Sequence, residues 1–285
     1  MAIFFQRTPR VLLLYKRSSF LSNRKAASRL SIDRRFRQNH LNHYASLAVV
    51  EDVLKRRELS YRKRCRGKDI DYASFDLVVS VGGDGTFLEA ARNLGRHQII
   101  LGVNSDPAWS VGQFCACDSV GFEKILLKML KGSSRIKRLY KLRVVIGPTG
   151  KNRVDCLNDI LVCHANPAAM SRYEMRLNGV TEEQRSSGIW FSTAAGSTGA
   201  ILSAGGKTMP IESRVIQYRP RELYHVNGHY RFQGGSFRPG TAAVVISRMA
   251  YGRIFVDGAH IRLPFTYGQK VRISSSPEFV RAIHD

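Results

Sequence analysis

Gly82-Gly83-Asp84-Gly85-Thr86 brings together glycines, one acid and one hydroxyl within five residues. The apolar run Leu77-Val78-Val79-Ser80-Val81 precedes it and reads as a buried strand. Phe87 to Leu94 follows and reads as a helix. Strand, glycine turn and helix form the arrangement that points backbone N–H groups and a helix N-terminus at phosphate. Gly82, Gly83 and Gly85 let the main chain approach a diphosphate with no Cβ in the way. Thr86 is suited to cap the helix. Asp84 then lies at the carboxyl end of a strand, where open α/β sheets bind ligands. A carboxylate beside phosphate has a clear use in phosphoryl transfer, as the base that accepts the proton of the attacking hydroxyl. The alternative is a tight turn with an Asp cap and no ligand. No GxxxxGK[ST] run is present, since Gly206-Lys207-Thr208 has Ile201 where the first glycine would stand, so a P-loop is excluded.

Two further segments carry polar groups suited to a nucleotide. In Leu157-Asn158-Asp159-Ile160 an amide and a carboxylate stand side by side, able to satisfy ribose hydroxyls or an adenine edge. Taken alone, Asn-Asp also reads as a turn. In Ser192-Thr193-Ala194-Ala195-Gly196-Ser197-Thr198-Gly199-Ala200 a strand runs into a small-residue loop and a helix start. That is again a phosphate or nucleotide platform, with the Ser197 and Thr198 hydroxyls facing the ligand. It continues into Ser203-Ala204-Gly205-Gly206. The competing reading is a small-residue turn packed inside the protein. Gly102-Val103-Asn104-Ser105-Asp106 and Val256-Asp257-Gly258 carry less weight, since both also read as strand ends.

These segments need elements to hold them. Arg10–Lys16, Leu77–Val81 and Gln98–Val103 read as strands. They alternate with helical stretches around Tyr44–Leu59, at Phe87–Leu94 and at Phe122–Leu130, the last with apolar residues three and four apart. The alternation predicts a Rossmann-like parallel α/β sheet. The basic run Lys55–Lys68 reads as a solvated helix end and loop. Beyond Tyr140, strand-like segments dominate: 142–146, 155–163, 172–177, 189–193, 242–247, 253–256 and 270–274. One short helix begins near Ser197. The second half is therefore expected to be a mainly β sandwich. The boundary falls between Gly132 and Lys141. This gives an α/β domain over 1–138 and a β domain over 139–285, with a C-terminal tail that can return to the first.

Composition narrows the classes further. The 285 residues are 44% hydrophobic, enough for a sizeable core. No run approaches the roughly 20 apolar residues that cross a bilayer as a helix, so no membrane partner is expected. Five cysteines with no CxxC pair argue against a zinc site or a disulfide framework, and for free thiols in a reducing compartment. Lys and Arg total 45 against 22 acids, a net +23. Such charge attracts polyanions, but no nucleic-acid motif accompanies it and no specific nucleic acid is expected. A basic surface also suits a phosphate-rich small substrate. Met1–Arg37 is rich in Arg and Ser, with Asp33 its only acid. It reads as a first strand with basic flanks in a cytoplasmic protein, or as a mitochondrial transit segment.

GGDGT after an apolar strand resembles the group that contains NAD kinases, lipid kinases of the diacylglycerol and sphingosine type, and phosphofructokinases. Asn158-Asp159, the Thr193–Thr198 loop with Ser203, and Gly102-Val103-Asn104 are similar to the NAD kinase family in particular, in family order. Asn158–Leu161, Pro167–Ala169, Ser213-Arg214 and Gln217-Tyr218 resemble its plant-type NADH kinase branch. The likeness runs from about Arg10 to Ser275. It implies ATP-dependent phosphorylation of the adenosine-ribose 2′-hydroxyl of NAD+ or NADH. Asp84 would be the base and Gly82, Gly83, Gly85 and Thr86 would cradle phosphate. Asn158, Asp159, Thr193, Gly196, Ser197, Thr198 and Ser203 would hold the dinucleotide. Magnesium would arrive on ATP, with no protein metal site, and the chain would form a homodimer or homotetramer. Three positions depart from the family pattern. Phe114-Cys115-Ala116 replaces Leu-Gly-Phe, Ser187 replaces the acid that meets the nicotinamide end, and Ala200 replaces a Tyr. A lipid kinase, or a catalytically silent basic nucleotide-binding protein, are the alternatives.

Overall fold

The computed structural model describes residues 5, 7–18, 20, 34–67, 69–147, 152–225, 230–259 and 261–284. Within Met1–Arg37, read as a first strand with basic flanks or as a transit segment, residues 1–4, 6, 19 and 21–33 lie outside the described residues. The chain divides into two compact units. Met1–Arg138 with Val280–Asp285 forms one and Leu139–Phe279 the other.

The first unit is a parallel sheet. β1 (Val11–Tyr15), β2 (Tyr61–Cys65), β3 (Leu77–Gly82) and β4 (Ile99–Asn104) lie in the order β2-β1-β3-β4. A two-residue strand, β5 (Cys117–Asp118), pairs with the end of β4. Every residue of β3 and β4 is buried, as expected of parallel strands covered on both faces. Alternate side chains give one face of the sheet: Val11, Leu13, Leu77, Val79, Val81, Leu101 and Val103. They pack against Leu47, Val50 and Leu54 of α1 (Arg34–Arg56) and against Phe122, Ile125, Leu126 and Met129 of α3 (Phe122–Leu130). Each such buried side chain contributes roughly 1.5–3 kcal/mol. The third helix, α2 (Asp84–Asn93), leaves the carboxyl end of β3.

One expectation is corrected here. The run expected to be a solvated helix end and loop contains β2, whose Arg62, Lys63 and Arg64 are exposed. Among the described residues β2 pairs with β1 alone, which makes it the edge strand of this sheet, and a charged edge resists pairing with other chains. Its lack of apolar alternation hides it from a pattern reading.

His43 of α1 is fully buried among polar groups. Its Nε2 lies 2.8 Å from the Lys16 carbonyl, which only accepts, so that nitrogen carries the proton. Nδ1 then accepts from Ser105 Oγ at 2.9 Å. Burial, above all, drives its pKa down to about 4. The unfolded chain protonates His43 near pH 6.5, whereas the folded unit holds it neutral. Stability from this position is therefore complete above about pH 6.5, and it drains away as pH falls toward about 4, by up to about 3 kcal/mol. His43→Gln is expected to flatten that acid slope relative to wild type in unfolding curves taken from neutral to acid pH. Parallel slopes would refute the assignment.

The second unit is built largely from antiparallel pairs. Its strands are β6 (Ile136–Ile146, from Leu139 onward), β7 (Asn152–Cys156), β8 (Asp159–His164), β9 (Ser171–Leu177), β10 (Val180–Ser186), β11 (Ile189–Ser192), β12 (Ile216–Pro220), β13 (Gly235–Phe237), β14 (Ala242–Ser247), β15 (Gly252–Val256), β16 (Ile261–Pro264) and β17 (Lys270–Ile283). One sheet runs β13-β12-β11-β8-β15-β16, and β10-β9-β14-β17 forms the opposing layer, with β6 and β7. Tyr173, Met175, Val245 and Ile273 from one layer meet Ile160, Val162, Phe191 and Ile254 from the other, which makes this unit a sandwich. Arg281 and Ala282 at the end of β17 belong to the first unit, where they pair in parallel with Ile99 and Ile100 of β4.

The segment expected to be one strand over 155–163 is two. β7 ends at Cys156 and β8 starts at Asp159. The break exists because the Leu157 and Asn158 N–H groups bond the Asp257 carboxylate instead of a neighbouring strand. β10, β12, β13 and β16 also escape a pattern reading. β10 is Val-Thr-Glu-Glu-Gln-Arg-Ser, with only Gln184 and Ser186 buried.

Candidate active site

The GGDGT turn joins β3 to α2. Gly82 is the last strand residue, Gly83 stands at the helix cap position and Asp84 opens the helix. The helix thus starts three residues earlier than its apolar pattern suggests, and Thr86 is not its cap. Thr86 lies in the first turn, where its N–H bonds the Gly83 carbonyl at 2.9 Å. Its side chain is buried, and its Oγ1 has no hydrogen-bond partner among the described residues. A Cβ on Gly82 would collide with that hydroxyl, and one on Gly83 would come within 2.5 Å of Ser110 Oγ. Small residues are therefore required by local packing as well as by any approaching ligand. Gly85 is exposed. The Asp84 carboxylate is half-buried, and its Oδ1 accepts the Phe114 N–H at 2.9 Å. Phe114 is itself buried, stacked on Phe87 with centroids 5.1 Å apart. That aromatic serves the core and orients Asp84 through its backbone.

Sequence reasoning misses two cations that the sheet order brings to this turn. Lys16 follows β1 and Arg66 follows β2, so both stand at carboxyl ends of strands parallel to β3. Arg66 Nη1 would lie 3.2 Å from a Cβ on Gly85. Arg66 also forms a loose ion pair with Glu89, at 3.7 Å. The Lys16 amine has no hydrogen bond or ion pair among the described residues, and its pKa is lowered, first by burial and next by Arg66. Two like charges held together beside a glycine turn suit an anion of several charges. The only hint in the sequence is that Lys16 closes the first apolar run; Arg66 lies in the basic run that reads as a helix end and loop.

In the second unit, Asn158, Asp159, Thr193, Gly196 and Ser197 come together around one loop. Asn158 O accepts the Thr193 N–H at 3.0 Å, and Thr193 Oγ1 lies 2.5 Å from Leu157 O and 3.2 Å from the Gly196 N–H. A Cβ on Gly196 would strike the Asn158 carbonyl. The Ser197 hydroxyl donates to Ala194 O at 2.7 Å and accepts the Met209 N–H at 2.9 Å. The expectation that Ser197 faces a ligand is corrected: it is fully buried and locks the loop from inside. Thr193 is likewise buried and bonded within the loop. Thr198 and Ser203 are exposed. The Asn158 amide and the Asp159 carboxylate face Gly199, at 3.6 and 3.8 Å from its would-be Cβ.

Asp159 is almost fully buried. Burial first, and Asp257 second, push its pKa up to about 7. On the outer side of the same sheet, Ser187, Trp190, Arg221, Phe255 and His164 line a cleft of about 430 Å³. Ala200 and Ser203 line a neighbouring cleft of about 560 Å³ that shares Trp190 and Arg221. A Tyr at position 200 would project into that space.

A parallel α/β unit bearing a GGDGT turn, and a β-sandwich bearing an Asn-Asp pair beside a small-residue loop, define a nucleotide kinase built without a P-loop. The ATP-NAD kinase N-terminal domain matches residues 10–114. A rice (Oryza sativa subsp. japonica) "Probable NADH kinase" is 33% identical over 268 residues, spanning 85% of this chain and 81% of the rice protein. The Arabidopsis thaliana "NADH kinase" is 30% identical over 266 residues, spanning 82% and 80%. The chain belongs to the NAD kinase family. Its fold is similar to that of an NAD kinase from Archaeoglobus fulgidus solved in complex with ATP, with a TM-score of 0.71, 23% identity and coverage of 96% and 93% of the two chains.

Proposed function

We propose that this protein is an ATP-dependent NAD(H) kinase that phosphorylates the 2′-hydroxyl of the adenosine ribose. The observation that carries the reading is the Asp84 carboxylate, fixed by the Phe114 N–H at the start of α2 between Gly83 and Gly85. The donor enters as magnesium-bound ATP. Backbone N–H groups of Gly83 and Gly85, with Lys16 and Arg66, offset the charge of its phosphates. Asp84 accepts the proton of the 2′-hydroxyl as its oxygen attacks the γ-phosphorus, and ADP leaves. Asn158 and Asp159 hold the ribose and adenine of the acceptor, with Thr198 and Ser203 at the loop surface. Thr193, Gly196 and Ser197 keep that loop in shape. The reading includes a homodimeric or homotetrameric assembly.

The same reading makes NADH the better acceptor. Ser187 is neutral where the family pattern has an acid that meets the nicotinamide, so the positive charge of NAD+ gains no partner there. The experiment is NADP+ and NADPH formation from NAD+ and NADH, with ATP and magnesium. The expected result is product from both, with kcat/KM higher for NADH. Ser187→Asp is expected to move that ratio toward NAD+ by about fivefold to tenfold, the size of one screened charge pair. No product from either acceptor would refute the kinase. A strong NAD+ preference in wild type, or an unchanged ratio in the variant, would refute the role of Ser187.

A further inference from the structure

Asp257 is a hundred residues away from Asn158-Asp159 in the sequence, yet it holds that pair in place. Its Oδ1 accepts the Asn158 N–H at 2.7 Å and its Oδ2 accepts the Leu157 N–H at 3.4 Å. Its own N–H donates to the Asp159 carbonyl at 2.9 Å. Asp257 occupies the left-handed region at φ 48°, followed by Gly258 at φ 86°, so the carboxylate is aimed by a tight Asp-Gly turn at the end of β15. Three hydrogen bonds therefore tie this turn to the break between β7 and β8, from which the Asn158 and Asp159 side chains project.

The two carboxyls have different surroundings. Asp257 has the two backbone donors. It also sits in the field of Lys141, a buried ammonium on β6 whose pKa is lowered by burial and supported by Asp155, Asp257, Glu278 and Cys156. Asp155 at the end of β7 is already matched by Arg143, through two bonds of 2.8 Å. Among the described residues Asp159 has only the Asn158 amide, at 3.3 Å, and no described cation acts on it. Of two buried like charges, the one without donors or a counter-ion takes the proton.

We propose that Asp257 is the positioning residue of the dinucleotide site, and that it sets the proton on Asp159 so that capture of a ribose hydroxyl is switched by pH. The inference rests on the kinase reading above. With the proton on, Asp159 has lost the charged acceptor that a ribose hydroxyl would bond. With the proton off, it accepts that hydroxyl strongly. Because burial and Asp257 raise the Asp159 pKa to about 7, the switch falls at neutral pH.

The test is dinucleotide affinity by calorimetry from about pH 5.5 to about pH 8.5, beside initial rates of NADP(H) formation over the same range. For wild type, Kd and KM are expected to worsen by about tenfold for each pH unit below the midpoint, with kcat following a separate profile. Asp257→Asn keeps one acceptor oxygen for the turn and removes the charge. Its midpoint is expected to move about one unit lower, and at pH 6 it is expected to bind several-fold better than wild type, which a merely structural role would not produce. Asp159→Asn is expected to bind weakly with no inflection. An unshifted midpoint in Asp257→Asn, or a wild-type inflection in Asp159→Asn, overturns the inference while product formation leaves the kinase standing. Absence of dinucleotide binding at every pH overturns both. Should Asp257→Asn unfold, the Asp159 carboxyl is titrated by ¹³C NMR in wild type, with Asp159→Asn for assignment. A midpoint at or below the ordinary carboxylate range then overturns the inference.

Discussion

Asp84→Asn is expected to lower kcat by about 10²- to 10⁴-fold while the KM for the dinucleotide changes by less than about threefold. The amide has nearly the shape of the carboxylate, and its oxygen still accepts the Phe114 N–H, so α2 and the glycine turn keep their places. What the variant lacks is an acceptor for the proton released by the 2′-hydroxyl. A loss confined to kcat therefore reports chemistry rather than binding. Steady-state rates with both substrates varied, at a temperature where both proteins are fully folded, make the measurement. If the variant kept more than about a tenth of wild-type kcat, Asp84 would be a positioning group and the base would have to be sought elsewhere. If it lost affinity for the dinucleotide instead, Asp84 would be a ribose or phosphate ligand.

Gly196→Ala is expected to damage both the fold of the second unit and its Asn-Asp turn. Its Cβ would collide with the Asn158 carbonyl oxygen, and would lie 2.6 Å from both the carbonyl carbon and Ser192 Oγ. The first two are backbone atoms of the turn that projects Asn158 and Asp159. That carbonyl also accepts the Thr193 N–H and receives Ser192 Oγ at 3.2 Å, so moving it disturbs both strand ends. Overpacking of this kind costs about 2–4 kcal/mol. The site should suffer with the fold, since Asn158 and Asp159 shift together, and the KM for the dinucleotide should rise about tenfold or more in the fraction that folds. Gly179→Ala is the contrast. That glycine has φ +78° with open space around it, so only backbone strain of about 1 kcal/mol is expected. Unfolding curves and KM values for the two variants decide the matter. Equal, small effects would mean that the 193–199 loop yields easily and does not hold the Asn-Asp turn.

What neighbouring residues determine among themselves is legible in the amino-acid sequence. Val11–Tyr15, Leu77–Gly82 and Ile99–Asn104 are apolar and short, and their burial needs only a sheet covered on both faces. The spacing of Phe122, Ile125, Leu126 and Met129 needs only a helix. GGDGT lies between such elements, and its chemistry is written in five consecutive residues. The shift from alternating strands and helices to punctuated strands near Tyr140 likewise marks the mainly β half. Sequence order alone does not convey what depends on residues distant along the chain. β2 is a strand because β1 offers it an edge, not because Arg62, Lys63 and Arg64 favour one. Lys16 and Arg66 stand on the side of the sheet that carries the glycine turn because three parallel strands end there. Thr193 and Ser197 turn inward because unpaired backbone groups of their own loop need partners more than solvent does. The break at Leu157-Asn158 and the pose of the Asn-Asp pair depend on one carboxylate a hundred residues away, and burial, with that carboxylate second, puts the proton on Asp159. Hydrophobic pattern and turn chemistry are short-range properties and show in the sequence. Hydrogen-bond satisfaction and the mutual field of buried charges are set only when distant segments are packed together, and they decide how this site works.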